Sequence, residues 1–433
     1  MSRLLNELSA VAAAADIAAG CITSEQLTRA CLERIAEREN YVRAWAYLSP
    51  DQAIAEARAR DRGPRRGLLH GVPIAVKDVI DTADMPTEHG TPIYKGNQPA
   101  CDAVCVSGAR AQGAVVLGKA VSTELANIHP AGTCNPRNLN HTPGGSSSGS
   151  AAAVADCMVP LAFGTQTGGS LIRPASYCGI VGYKPTFDFI STAGVKALSA
   201  SLDTVGVYGR TVPDAALIGR ALIGFDSPDF DSKPATAPRI GLYRTPQWSL
   251  AEAPTASALE ESAGKLERAG AKIMEVTAPP LMDEIILAAD AISDYETYRS
   301  LAYERMHHAD LLSPAMTNKL KKAAGVTRPR YLAALETVSA CARLLDDMLR
   351  DLDVLITPSA TGEAPAGLSA IGPTGSLGPA AFQQMWTMLH TPAISVPVFT
   401  GPKGLPMGLQ VIAPRKEDER ALLWAHWVHR ALT

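Results

Sequence analysis

Two Ser/Gly-rich segments carry the residues best suited to chemistry: Gly144-Gly145-Ser146-Ser147-Ser148-Gly149-Ser150 and Thr165-Gln166-Thr167-Gly168-Gly169-Ser170, with a short apolar stretch between them. Glycine pairs let the backbone approach a ligand and turn its amides inward. A serine closing such a turn places a nucleophilic oxygen beside N–H donors that can hold an oxyanion. Serine is a weak nucleophile, so it needs a base within hydrogen-bond reach. Lys77 is a candidate because it follows the apolar run Val72-Pro73-Ile74-Ala75-Val76, where burial would lower its pKa from about 10.4. An unperturbed lysine is neutral only about once in 2,500 at pH 7, so the role requires a fall of roughly 2–3 pH units. The competing reading of Lys77 is a surface lysine paired with the neighbouring Asp78.

Other chemistries fit less well. Gly145-Ser146-Ser147-Ser148-Gly149 formally matches the GxSxG elbow with Ser147 as nucleophile, but that motif must follow a strand directly, and Asn138-Leu139-Asn140-His141-Thr142-Pro143 cannot be a central one. No GK[ST] closes the glycine run as a phosphate loop would require. There is no HExxH, and His307/His308 and His426/His429 read as helix-face residues rather than metal ligands. The eight cysteines form no CxxC pair and read as reduced, mostly buried thiols of a cytosolic protein. A net charge of −3 gives no electrostatic case for nucleic acid or an anionic membrane. The locally basic stretch 58–66 reads as a solvated turn. No apolar run is long enough to span a membrane. Glu7 and Asp16 interrupt the apolar N-terminus, which therefore reads as an amphipathic helix rather than a signal peptide. A cytoplasmic location is the expectation.

The elements that must position these residues alternate. Residues 72–76, 114–118, 159–164, 239–243, 271–276, 353–357 and 393–397 read as strands, 114–118 as a buried one. A helix starts near Ser24 with that serine as its cap, and its apolar Leu27, Cys31 and Ile35 recur at helical spacing. Residues 150–156 and 256–269 are further helices. Alternating helices and strands imply an α/β fold, a largely buried mixed sheet covered by helices. Residues 280–350 are nearly all helical and either cap the site or form a plain outer layer, while 357–378 reads as a long loop. The motifs run from 77 to 170 without a linker, so the 433 residues are expected to form a single domain with its catalytic core in 65–215.

Taken together, the motifs resemble the amidase signature family of serine hydrolases over nearly the whole chain. The resemblance rests on Gly71-Val72-Pro73-Ile74-Ala75-Val76-Lys77-Asp78, on the two serine blocks, and on Cys178-Gly179-Ile180-Val181-Gly182-Tyr183-Lys184-Pro185-Thr186. It continues in Ser201-Leu202-Asp203-Thr204-Val205-Gly206, Thr391-Pro392-Ala393-Ile394-Ser395-Val396-Pro397 and Gly404-Leu405-Pro406-Met407-Gly408-Leu409-Gln410. It implies a Ser–cis-Ser–Lys triad in which Ser170 attacks the amide carbonyl to form an acyl-enzyme. Ser146, after a cis peptide bond, bridges it to Lys77, the base. Amides around Thr167, Gly168, Gly169 and Ser170 form the oxyanion hole, and Ser147 orients the loop. No metal or organic cofactor is implied; a homodimer is.

Two positions depart from the family's common pattern. Gln166 stands where the second block usually carries Asp, and Arg173 follows the nucleophile by three residues instead of two. This variant resembles the malonamidase branch, in which the arginine is associated with a substrate carboxylate, as suits a guanidinium fork. Arg173 could equally tie the loop to a neighbouring acid. The expected activity is hydrolysis of small, linear, non-peptide amides. A carbamate (urethane) or anilide hydrolase is the alternative, favoured if the 280–350 region and Trp386/Met388 form a wide apolar mouth. From a different class comes the amidase subunit of a tRNA-dependent amidotransferase, which would supply ammonia from glutamine to a partner.

Overall fold

Fully buried apolar runs build the centre of the molecule. In the computed structural model, which describes residues 4–226, 228–231, 236–367 and 377–433, β1 is Trp45–Leu48, β2 Pro73–Lys77, β3 Val115–Ala120, β4 Leu161–Gln166, β5 Val181–Lys184 and β6 Thr204–Gly209. The later strands are β7 Arg239–Tyr243, β8 Lys272–Val276, β9 Val354–Pro358, β10 Ala393–Thr400 and β11 Pro406–Ile412. All of them join one mixed sheet in the order β1-β3-β2-β4-β6-β5-β10-β11-β9-β7-β8. β2 runs parallel to both β3 and β4, while β6 runs antiparallel to β4 and β5. Every residue of β2, β3 and β4 is buried, as strands covered on both faces require. Two apolar cores accordingly flank the sheet, one around Leu117, Ala162 and Trp386, the other around Ile74, Phe163 and Val207.

The expected strands form, but those that matter most extend further than their apolar runs. β2 continues into Lys77 and β4 into Gln166. Both polar residues therefore lie at the carboxyl ends of neighbouring parallel strands, where α/β sheets commonly hold their ligands. The Ser148–Ala155 helix packs beneath them with all eight residues buried. Only glycine fits at position 149 on that helix, since a Cβ there would stand 2.2 Å from the Ala44 carbonyl and 2.4 Å from the Val121 amide.

Two local expectations need correction. The helix Ser24–Val42 is capped by Thr23, not Ser24: Thr23 accepts from the Gln26 amide, and the Gln26 side chain accepts from the Thr23 amide. Ser24 instead points inward and donates to the Gly71 carbonyl at 2.9 Å. The basic stretch 58–66 is not a turn throughout, because the helix Pro50–Arg62 takes in its first half. There the guanidinium of buried Arg60 donates to the Gly113 carbonyl at 3.1 Å.

The 280–350 region is helical as expected, with helices Ile285–Ser300, Ala302–His307, Pro314–Ala323 and Arg328–Met348. Tyr295 stacks on Tyr331 at 4.1 Å, joining the first of these to the last. Of the expected 357–378 loop, residues 357 and 358 belong to β9, and 368–376 lie outside the described residues. No helix among the described residues is long and apolar enough to cross a membrane.

Candidate active site

Lys77 is wholly buried, and its ammonium nitrogen lies 2.7 Å from both the Ser146 and Thr165 hydroxyls. Burial lowers its pKa to about 7, with only the more distant charge of Asp203 opposing the fall. A surface pair with Asp78 does not form. The Asp78 carboxylate is itself buried and accepts from the Glu88 amide at 3.0 Å and the Gly90 amide at 3.4 Å. Lys77 therefore sits among hydroxyls, in an environment that brings its neutral form into the physiological range.

The two serine loops are tied directly to each other. The Ser147 amide donates to the Ser170 carbonyl at 3.2 Å, while its hydroxyl both accepts from the Thr165 amide and donates to the Thr165 carbonyl, each at 3.1 Å. Ser147 thus fastens the first loop to the end of β4. The Gly145–Ser146 peptide bond is cis, and Gly144 before it has φ of 80°, a left-handed value that favours glycine. The Ser146 carbonyl accepts from the Thr123 amide at 3.2 Å, fixing the other side of the turn. Ser146 is buried, whereas Ser170 is half-buried and lines a cavity of about 270 Å³. Among the described residues no hydrogen bond joins the Ser146 and Ser170 hydroxyls. Catalytic hydrogen bonds often close only around substrate.

Gln166 organises the turn that carries Ser170. Its side-chain oxygen accepts from the Leu171 and Ile172 amides at 3.0 Å each, and its nitrogen donates at 3.0 Å to Thr387, whose hydroxyl donates in turn to the Gly168 carbonyl at 3.0 Å. Among the described residues the amides of Gly168, Gly169 and Ser170 donate to no protein acceptor, which leaves them available to an oxyanion. The Thr167 hydroxyl donates to Asp203, whose second oxygen accepts from the Leu198 and Ser199 amides at 2.7 and 2.9 Å. Burial raises the Asp203 carboxyl to about 6.

Arg173 borders the cavity but is buried, and its two terminal nitrogens donate to the carbonyls of Gly378 and Gly145. Its partners are backbone oxygens, not an acid. It clamps the residue before the cis bond to a segment more than two hundred positions away.

The model of the family described as Amidase matches residues 26–422. This chain belongs to that family. Curated relatives include a glutamyl-tRNA(Gln) amidotransferase subunit of Chloroflexus aggregans, 33% identical over 97% of this chain and 95% of that protein. The corresponding protein from Acidothermus cellulolyticus, which bears the same name, is 34% identical over 97% and 93%. Among solved structures, the peptide amidase of Stenotrophomonas maltophilia superposes with a TM-score of 0.84 at 30% identity, covering 98% of this chain and 97% of that one. A further amidase gives 0.89 at 27% identity over 98% and 100%. The chain is an amidase-family α/β protein of one domain with a large mixed sheet, as its motifs led us to expect.

Sequence reading singled out Lys77, Ser146, Ser147, Gln166, Thr167, Gly168, Gly169, Ser170 and Arg173, and the fold gathers all of them around the ends of β2 and β4. It missed Thr165 as the second partner of Lys77, although that residue stands within the second loop. It missed Thr387 entirely. It also missed the charged cavity wall formed by Asp290, Asp294, Lys319 and Lys322, because charges on the face of a helix give no sequence signal that distinguishes a cavity wall from solvated surface.

Proposed function

We propose that this protein hydrolyses small linear carboxamides through an acyl-serine intermediate. The observation that carries the reading is Lys77: buried, with a pKa near 7, and 2.7 Å from the hydroxyl of Ser146. Neutral Lys77 takes the Ser146 proton while Ser146 takes that of Ser170, whose oxygen attacks the carbonyl. The amides of Thr167, Gly168, Gly169 and Ser170 hold the tetrahedral oxyanion. The relay then returns a proton to the departing nitrogen, the C–N bond breaks, and ammonia or an amine leaves. Water attacks the acyl ester by the same relay and frees Ser170. The expected result is ammonia release from small carboxamides, reduced at least about 10⁴-fold in Ser170→Ala, with a fluorophosphonate probe adding its mass at Ser170. Labelling of Ser147 instead would assign the nucleophile to the elbow-like match.

Arg173, held by two carbonyls, supports a structural part in this reading, and a carboxylate-bearing substrate is not made to depend on it. Helices Ile285–Ser300 and Pro314–Ala323 contribute part of the cavity lining. That part carries Asp290, Asp294, Lys319 and Lys322, Ile128, Leu198 and Leu377 line the cavity elsewhere, and Trp386 and Met388 are buried in the core. A wide apolar mouth made from the 280–350 region and Trp386/Met388 is the feature that favours a carbamate or anilide hydrolase, and neither Trp386 nor Met388 lines this cavity of mixed character.

The curated relatives favour a second reading more than they favour a free-standing amidase. In it the same relay releases ammonia from glutamine for a partner chain of an amidotransferase. The peptide amidase superposition supports the first. Size-exclusion chromatography of the purified chain, combined with glutamine and carboxamide assays, separates them. A homodimer with steady carboxamide turnover fits a self-sufficient cytoplasmic hydrolase, and glutamine turnover only in a hetero-complex fits the amidotransferase component.

A further inference from the structure

The charged wall of the cavity that Ser170 lines holds one exposed, loosely paired cation. Asp294, itself buried, faces two ammonium groups: Lys319 at 3.1 Å and Lys322 at 3.6 Å. One carboxylate cannot neutralise both, and the shorter contact belongs to Lys319. The Lys322 side chain keeps 71% of its exposure, has no hydrogen bond among the described residues, and borders the same cavity as Ser170. The other acid on this wall, Asp290, accepts from the Gln384 side chain at 3.1 Å. Arg173, the third cation among the residues lining the cavity, is buried, with both terminal nitrogens held by carbonyls. Lys322, exposed and only loosely paired with Asp294, is therefore the cation at this cavity most accessible to a ligand's negative charge. Ser170 and Lys322 line one cavity of about 270 Å³, close to the lower end of the usual range for small-molecule sites, about 300–1,000 Å³.

We propose that Lys322 is the specificity residue of this site, anchoring a carboxylate on the acyl side of a small amide, with Asp294 holding it at the cavity. The proposal rests on the reading of this cavity as the amide-binding site. It moves anion recognition from Arg173 to a helix that no catalytic motif touches. A mobile ammonium suits a point contact to carboxylate where a fixed guanidinium fork is already engaged.

The test is calorimetric binding to full-length protein carrying Ser170→Ala, so that ligand is not consumed. Succinamate is the anionic amide and butyramide its neutral counterpart. Succinamate is expected to bind more tightly, with a preference that falls as salt is added. Adding Lys322→Gln is expected to weaken succinamate about tenfold, the worth of one charge-assisted contact, and to leave butyramide unchanged. Lys321→Gln, on the same helix but off the cavity, is expected to change neither. Equal weakening of both ligands, unchanged succinamate binding, or no succinamate binding at all would each overturn the assignment. Failure of the acyl-serine reading shows separately, as carboxamide turnover that survives Ser170→Ala alone.

Discussion

At the scale of single residues, the proposed chemistry depends on a lysine deprived of water and of an adjacent carboxylate. Turnover is expected to rise with pH through about 7, where Lys77 becomes neutral, and to level off above it. Lys77→Ala is expected to lower kcat about 10²–10⁴-fold, the usual worth of a positioned base. The same shift has a stability consequence. The folded value lies below the ordinary 10.5, so the unfolded chain holds more protons between about pH 7 and 10.5. The contribution of Lys77 is fully present above that window and is lost as pH falls through about 7. Lys77→Met removes the burden of a buried charge, so its Tm relative to the parent is expected to be most favourable near pH 6 and least near pH 10. A Tm difference that does not move with pH would mean that Lys77 does not titrate in the folded protein. Arg173→Met makes a contrasting case. Two carbonyls lose a charged donor, so a stability loss of about 3 kcal/mol is expected, with turnover falling alike on neutral and carboxylated amides. A loss confined to carboxylated amides would return Arg173 to the substrate.

At the scale of elements, the decisive unit is the turn from β4 into the helix Ile172–Cys178. The buried helix start must satisfy its first amides, and none of its cap residues does so with a side chain. Gln166 does it from the end of the preceding strand. This gives a physical reason for an amide side chain where the family pattern has a carboxylate: it accepts from two amides and still donates to Thr387. Gln166→Leu is expected to lower stability by about 2–4 kcal/mol in denaturant unfolding, because it strands those two buried amides. Gln166→Glu keeps the acceptor and loses the donor, so it should recover most of that stability while disturbing the Thr387–Gly168 link and with it kcat. Equal damage from both substitutions would show that the acceptor is not what holds the turn.

At the scale of the whole molecule, one sheet runs from strands β2 and β4, which carry Lys77 and Thr165, to the distant pair β7 and β8 without a break. Hydrogen bonds that continuous tie the late strands to the half that carries Lys77 and the serine loops. Helical signal and turnover are accordingly expected to vanish in one coincident thermal transition. Two separated transitions would divide the chain into independent units. The charges of the cavity mouth also belong to this scale, since they come from helices far along the chain from the serine loops.

What the sequence determined by itself follows from local rules. Gly-Gly-Ser turns next to short apolar runs identify the loops, the strands and the lysine between them, because backbone freedom and burial are encoded within a few residues. Strand ends were less legible: a polar Lys77 or Gln166 ends an apolar run but not the hydrogen-bonded ladder it belongs to. The cap at Thr23 was missed for a similar reason, since Ser24 is as good a capping residue in isolation and is drawn inward by Gly71 only in the fold. Tertiary structure alone decided that Lys77 has no carboxylate beside it, that Arg173 meets carbonyls rather than an acid, and that Lys322 faces the same cavity as Ser170. Each of those outcomes depends on distances between segments remote in sequence, and the electrostatics of a site is set by those distances.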